Sequence, residues 1–477
     1  MALRTATLTL LLVGCGGVPS GDAGIERTPD AGRDAGNQAT TDAGACTTTD
    51  LEGKLRCIPG LSFVKAADAG FPGYSRYELT FQQPVDHLRA DAGTFPQRLF
   101  LLATAPTAPM VFSTSGYTLS RRRDDLTRVY TANQLTYELR YFAASRPTGP
   151  IDWSTNTIRQ QANDAHRLVE AFKPLFPAKW VSTGISRGGM ASVYHRRFFP
   201  DDVDATVPVA APYNTSRADP AYPAFLNTVG GATWATCRQA LLDFQRESLM
   251  RRAELEPLMF GSWRRLTKPI ALEHAVIEVG FAFWQYTKPT DPSFGCSQIP
   301  PAGAPAQDLY EFINVHAGWD FFTDSSIASF DAFYVTSALE LGGPAPHDAP
   351  LAPLVTQPGS YTYDDPRYLP PGFSGALDPA IQADVTQWVS TSAERMLVLR
   401  GEFDPWSARD YAPNPSRDNV VFTVPGGNHG VRLGDLPAQD QSLAWSTLDR
   451  WLEAVAVPSA RAHLPEPVEF AEPRGPM

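Results

Sequence analysis

Three residues of this chain have the types and the order that acyl transfer asks for: Ser186, Asp404 and His429. Ser186 sits in Gly184-Ile185-Ser186-Arg187-Gly188-Gly189, directly after the apolar, β-branched run Lys179-Trp180-Val181-Ser182-Thr183. A sharp strand-to-helix turn at that point lifts one serine hydroxyl above a sheet, and the flanking glycines let the backbone turn without a Cβ clash. The pattern alone is weak; its company downstream is what counts. Leu397-Val398-Leu399-Arg400-Gly401-Glu402-Phe403-Asp404 reads as a strand ending on an acid, and Val420–Val424 as a strand whose following loop ends on His429. Ser, Asp, His is the chain order of an α/β-hydrolase, each residue just past the C-terminal edge of a strand. In that chemistry Ser186 Oγ attacks a carbonyl, His429 takes and returns the proton, and Asp404 orients the imidazole and stabilises its cation. The oxyanion needs two fixed N–H donors. One is expected from the backbone of Arg187, and the other from the loop after Met110-Val111-Phe112, where Gly116 and Tyr117 are the candidates.

The elements that must hold these residues follow from hydrophobic period. Tyr77–Phe81 and Arg98–Ala103 read as an opening antiparallel pair, Met110–Phe112 as a buried strand and Leu135–Phe142 as another. Ile158–Phe176 has helical periodicity, then come the elbow strand, an elbow helix from Gly189 to about Phe199, and a strand over Ala205–Ala210. Alternation of this kind implies a mainly parallel sheet with helices on both faces. From Pro212 to about Gly375 the regularity gives way to aromatic-rich helical segments: Ala235–Ala253, Ile270–Tyr286, Asp308–Phe312 and Ser326–Ala338. The expected fold is therefore α/β, an α/β-hydrolase domain with an inserted helical cap, or lid, over the strand ends. Its parts are residues 46–211, the cap 212–375 and a second hydrolase part 376–460, with a helix near Ala380–Ser390.

The cap supplies the candidates for substrate binding. Trp234, Phe281, Phe283, Trp284, Tyr286 and Trp319 are aromatics able to line a pocket or to build the cap's own core. Trp406, after Asp404-Pro405, is a candidate wall beside the serine or a core residue. Glu278 interrupts an otherwise apolar helix, and with Glu273 it is the natural place to look for a carboxylate that grips a substrate ammonium, against the plainer reading of a cap or an arginine partner. His87, His166 and His195 read as hydrogen-bonded structural residues. Asp320 and Asp324 lack the strand context of Asp404.

With 477 residues, 43% of them apolar, the chain can bury a large core. The net charge of −11 is spread out and basic residues form no long block, which argues against nucleic acid as a partner. Arg4 followed by the apolar Thr5–Val13 and by Leu12-Val13-Gly14-Cys15 resembles a bacterial lipobox. The expectation is a lipoprotein signal over 1–15 and a lipid anchor on Cys15, placing the protein in the cell envelope (outer membrane) or outside the cell. Asp-Ala-Gly recurs four times in 16–45, too poor in apolar surface to fold, so a flexible tether is expected. Residues 461–477 form a tail. The even set Cys46, Cys57, Cys237 and Cys296 suggests disulfides in an exported chain, with the local pairing Cys46–Cys57 and Cys237–Cys296 preferred among three connectivities. No metal or cofactor is expected, since no clustered Cys or His accompanies them.

Further segments resemble a known family. Phe81-Gln82-Gln83-Pro84-Val85-Asp86-His87, Arg140-Tyr141-Phe142 with Ser145-Arg146-Pro147, the Gln161-Ala162 to His166-Arg167 stretch, Ser182 to Met190, and Phe281-Ala282-Phe283-Trp284-Gln285-Tyr286 are similar to the secreted bacterial prolyl tri- and tetrapeptidyl aminopeptidases. Those are serine peptidases related to lysosomal Pro-X carboxypeptidase. The resemblance covers roughly residues 70–455 and implies removal of short N-terminal peptides ending in proline, from substrates with a free N-terminus, through an acyl-enzyme. Two positions depart from the pattern: Arg187 stands where lysine is usual, and Leu139 where histidine is usual. Neither is a triad member, so they bear on fine specificity. A lipase or esterase on the same fold, and an inactive surface binding protein, are the alternative readings.

Overall fold

The computed structural model describes residues 48–67, 70–455, 457 and 460. The expected signal, Cys15, tether, Cys46 and tail all lie outside the described residues. The described residues form one compact unit.

Nine strands build a single sheet: β1 (Leu61–Lys65), β2 (Ser75–Pro84), β3 (Thr94–Ala103), β4 (Met110–Thr114), β5 (Asn133–Tyr137), β6 (Trp180–Ile185), β7 (Ala205–Val209), β8 (Leu397–Gly401) and β9 (Val420–Val424). Their order is β1-β2-β3-β5-β4-β6-β7-β8-β9. The first three pair antiparallel and β3 meets β5 antiparallel, while the strands from β5 to β9 across the sheet are parallel. Composition follows position. β2 alternates buried and accessible residues, as one solvated face requires, whereas β5 is buried at all five positions. The chain leaves β4 for β5 on one side and returns to β6 on the other. This reversal makes the C-terminal ends of β4 and β6 a topological switch point, where open α/β sheets bind ligands.

The helices Ile158–Phe172 and Arg187–Phe198 pack on one face, in a core shared with the cap; Asp125–Tyr130 and Ala438–Leu452 close the other face. One strand is shorter than its sequence suggests. The apolar run Leu135–Phe142 leaves the sheet at Tyr137, and Tyr141 takes a φ of 69°. Arg140 explains the exit. Its guanidinium is fully buried, makes paired 2.7 Å bonds to both carboxylate oxygens of Asp164, and donates to the carbonyls of Val85 and Thr155. Burying a cation demands such satisfaction, and a straight strand would not deliver it.

Between β7 and the helix Ala380–Thr391 lies the helical cap. Its central helix, Lys268–Tyr286, is buried at every position from Ile270 to Gln285, so it is enclosed on all sides. A Cys237–Cys296 disulfide ties the helix Ala235–Met250 to a downstream loop, as the local pairing anticipated. The single helix expected over Ser326–Ala338 is instead two, Asp324–Ser329 and Asp331–Thr336, followed by a π turn over Ser337–Leu341. Asp331 opens the second helix held by Arg146 and Arg265, at 2.9 and 2.8 Å, which fixes the break.

Candidate active site

Ser186 holds φ 56° and ψ −124°, a conformation costly for a residue with a Cβ. The elbow is possible because its neighbours are glycines: a Cβ on Gly184 would run into the Gly188 backbone, and one on Gly188 into the Thr114 carbonyl. Ser186 N donates to Val209 O at 2.9 Å, pinning the turn to β7, and the helix Arg187–Phe198 leaves at once. The Arg187 N–H therefore lies at the first turn of a helix, where backbone donors have no intrahelical acceptor.

The loop after β4 packs on this elbow. Gly116 has φ 81°, and a Cβ built there would lie 2.8 Å from Gly188 N. Tyr117 lines one small cavity together with Ser186 and Arg187. The loop that carries both candidates for the second donor, Gly116 and Tyr117, thus lies against the elbow.

Asp404 and His429 meet as the sequence anticipated. Asp404 is fully buried beyond β8, and its Oδ2 lies 2.7 Å from His429 Nδ1 while Oδ1 accepts from Trp406 N at 3.1 Å. With Nδ1 committed to the carboxylate, Nε2 is the nitrogen left to serve Ser186. Among the described residues no hydrogen bond joins Ser186 to His429. His429 is also held by the cap: its N–H donates to Gln285 O at 2.9 Å, and Tyr286 meets its ring edge-on.

The cavity over Ser186 is walled by Met190 from the elbow helix, Pro212 and Asn214 after β7, and Trp406 beside the acid. The cap adds Phe333, Ser337, Leu341, Gly342 and Tyr363. Trp406 takes both places the sequence left open, lining the cavity while packing into the shared core. Trp284 does not line the cavity; it packs behind the acid loop, edge-on to Phe403 and Phe283. Trp234, Phe281, Phe283, Tyr286 and Trp319 also stay off this wall. Phe333, Ser337 and Tyr363 went unforeseen, because their segments carry no periodic signal that points inward. The π turn at Ser337–Leu341 is their one local mark, as such turns gather at functional sites.

The two acids of the central cap helix have different fates. Glu273 is neutralised by Arg252 at 2.8 Å and accepts from Thr356 N and Oγ1, which makes it a structural ion pair. Glu278 is buried with a 3.0 Å hydrogen bond from Tyr361 and no basic partner within ion-pairing distance among the described residues, and burial holds its carboxyl well above the ordinary 4.5. It does not line the cavity. The remaining candidates are structural: His87 bonds Asp164, His166 and His195 bond Asp202, and Asp324 accepts from the backbone of Arg264 and Arg265. Among the described residues no group of His, Cys, Asp and Glu is disposed to hold a metal ion.

A serine on a strained elbow at the switch point of a mainly parallel sheet, with a buried acid two strands along and its histidine partner three, defines a serine hydrolase of the α/β-hydrolase fold. Sequence comparison narrows the class. The family model PS-10 peptidase S37 matches residues 45–467, and the chain belongs to that family. The prolyl tri/tetrapeptidyl aminopeptidase of Streptomyces mobaraensis is 34% identical over 418 residues, 84% of this chain and 85% of that protein. Among solved structures, a proline iminopeptidase from Mycobacterium smegmatis aligns with a TM-score of 0.38 at 12% identity, over 78% of this chain and 99% of its own. An epoxide hydrolase from an endophytic Streptomyces aligns with a TM-score of 0.35 at 13% identity, over 79% and 97%. Those two likenesses carry nothing further; the fold rests on strand order and elbow. The protein is a serine peptidase.

Proposed function

We propose that this peptidase removes short peptides ending in proline from free N-termini, with Ser186 as nucleophile, His429 as general base and acid, and Asp404 as the group that orients the imidazole. The carrying observation is the small cavity at Ser186, walled by Phe333, Tyr363, Trp406 and Met190. A prolyl ring is compact and apolar, and rigid aromatic walls bind it without a hydrogen-bond requirement. The acyl carbonyl then sits over Ser186, facing the N–H of Arg187 and of Gly116 or Tyr117, which take the charge of the tetrahedral intermediate. His429 Nε2 receives the serine proton and passes it to the leaving amine; water attacks the resulting ester by the same route.

Removal from the N-terminus needs a fixed anchor for the substrate ammonium. Glu278 is our assignment, because Glu273 is already neutralised and Glu278 has no cationic partner among the described residues. Its raised carboxyl ionises readily only when a cation arrives, which favours substrates with a free amine. The lipobox at Leu12–Cys15 supports export and acyl anchoring in the cell envelope. Incorporation of labelled fatty acid by wild-type chain, lost in Cys15→Ser, tests the anchor.

The activity is tested with chromogenic Ala-Ala-Pro against a butyrate ester. Peptide cleavage that far exceeds ester cleavage, and that Ser186→Ala loses, supports the reading; the reverse preference favours an esterase.

A further inference from the structure

The loop after β4, which carries Gly116 and Tyr117, has no regular structure between Thr114 and the helix Asp125–Tyr130. Its shape near the elbow is set by hydrogen bonds to the residues at and beyond the end of β5. Ser115 N donates to Tyr137 O at 3.2 Å, and Tyr117 O accepts from Leu139 N at 3.3 Å. Both are long contacts between neutral groups. Glu138, between those two partners in sequence, makes the short ones. Its Oε1 accepts from Leu119 N at 2.8 Å, while Oε2 accepts from Ser145 N at 2.8 Å and from Ser145 Oγ at 2.5 Å. Ser145 is fixed in turn, since its Oγ also accepts from Arg98 N of β3 at 2.9 Å. The Glu138 side chain is buried, and a carboxylate that accepts at both oxygens matches three converging donors. Such bonds are stronger than neutral ones when the acceptor is ionised.

This clamp lies close in sequence to the chemistry. Leu119 follows Tyr117 by two residues, and the Gly116 backbone presses so closely on the elbow that an added Cβ would lie 2.8 Å from Gly188 N. A donor that stabilises a developing charge acts only where it is fixed before the reaction. We propose that Glu138 is a positioning residue for the oxyanion site, its carboxylate holding the loop Ser115–Leu119 so that the loop's N–H donor meets the acyl oxygen above Ser186. This rests on the reading of Ser186 and its oxyanion donors given above, and deepens it by naming the residue that fixes the second donor.

The test compares two ligands of the full chain, Ala-Ala-boroPro and Ala-Ala-pyrrolidide. They share the free N-terminal peptide and the five-membered ring, and only the first has a group for Ser186 to attack. Ser186 Oγ bonds to boron, its proton passes to His429 and no bond breaks, so the tetrahedral boronate bears a negative charge and places an oxygen where the oxyanion forms. Glu138→Ala removes the acceptor; Leu119→Pro removes the donor and leaves Glu138 with Ser145. In each, kcat on Ala-Ala-Pro p-nitroanilide is expected to fall by about 10²-fold, the cost of one lost oxyanion donor, with little change in KM. The Ki of the boronate is expected to rise by about tenfold or more while that of the pyrrolidide holds. A general loosening of the fold weakens both ligands alike and leaves the ratio of the two Ki values where it was. A ratio that rises by more than threefold in each variant that folds supports the proposal, and a ratio that holds within threefold in either folded variant overturns it. Leu119 lies in an irregular, partly exposed loop, so Leu119→Pro carries the test if the buried change at Glu138 prevents folding. A wild type that binds the boronate no more tightly than the pyrrolidide defeats the reading of Ser186 and its oxyanion site, and the proposal with it, an outcome separate from any result on the variants.

Discussion

Asp404 is where the site has least freedom, being fully buried with one oxygen on His429 and the other on the Trp406 backbone. Asp404→Asn keeps the shape but presents the wrong atom to Nδ1, so kcat is expected to fall by about 10⁴. Ser186→Ala and His429→Ala should each cost several orders of magnitude, and the double variant little more, because the members act as a unit. Steady-state kinetics on Ala-Ala-Pro p-nitroanilide check all three. Glu278→Gln separates anchoring from chemistry. Cleavage of free-amine substrates should weaken by about 1.5–3 kcal/mol, the range for a hydrogen bond to a charged group, while N-acetylated substrates change little. Equal loss on both forms would make Glu278 a structural residue.

The central cap helix, Lys268–Tyr286, links the fold to the chemistry, since it carries Glu278 in its middle and supplies the Gln285 carbonyl to His429 at its end. Its buried acid also gives the fold a pH signature. Glu278 holds its proton more tightly folded than unfolded, so its contribution to stability is full below about 4.5 and is lost as pH rises through the raised value. Urea denaturation should show stability declining across that window, and Glu278→Gln should flatten the decline. The Cys237–Cys296 bridge closes a span of 59 residues, and replacing both cysteines by serine should cost about 2–4 kcal/mol in the same measurement. The parallel strands and the long helices were legible because their apolar period is local. The exit of the chain after Tyr137 was not, because Leu139-Arg140-Tyr141-Phe142 reads as strand until Asp164, on another helix, claims the arginine. Phe333, Ser337 and Tyr363 were hidden for a similar reason: they become a pocket wall only when a broken helix and a distant loop converge above Ser186.

The triad order and the hydrolase architecture could be read from sequence because each catalytic position follows a short apolar, β-branched strand, buried in β6 and β8 and alternating buried and exposed at the edge strand β9. Cap and sheet then share one hydrophobic core from Tyr77 to Trp406, which ties the cap to the catalytic edge. On the function proposed above, a cavity walled in part by cap residues takes short peptides in preference to folded protein. Internal prolyl bonds in a folded substrate are therefore expected to survive, while a free N-terminal Ala-Ala-Pro is removed, as mass spectrometry of the products will show. The central claim is that Ser186 is the nucleophile of a prolyl-specific exopeptidase. Its most direct test is a prolyl peptide phosphonate with a free N-terminus, incubated with the wild type and followed by peptide mapping of the adduct. A single stoichiometric adduct on Ser186, with parallel loss of Ala-Ala-Pro cleavage, is the predicted result; an adduct on another serine, or near-full activity in Ser186→Ala, would contradict it.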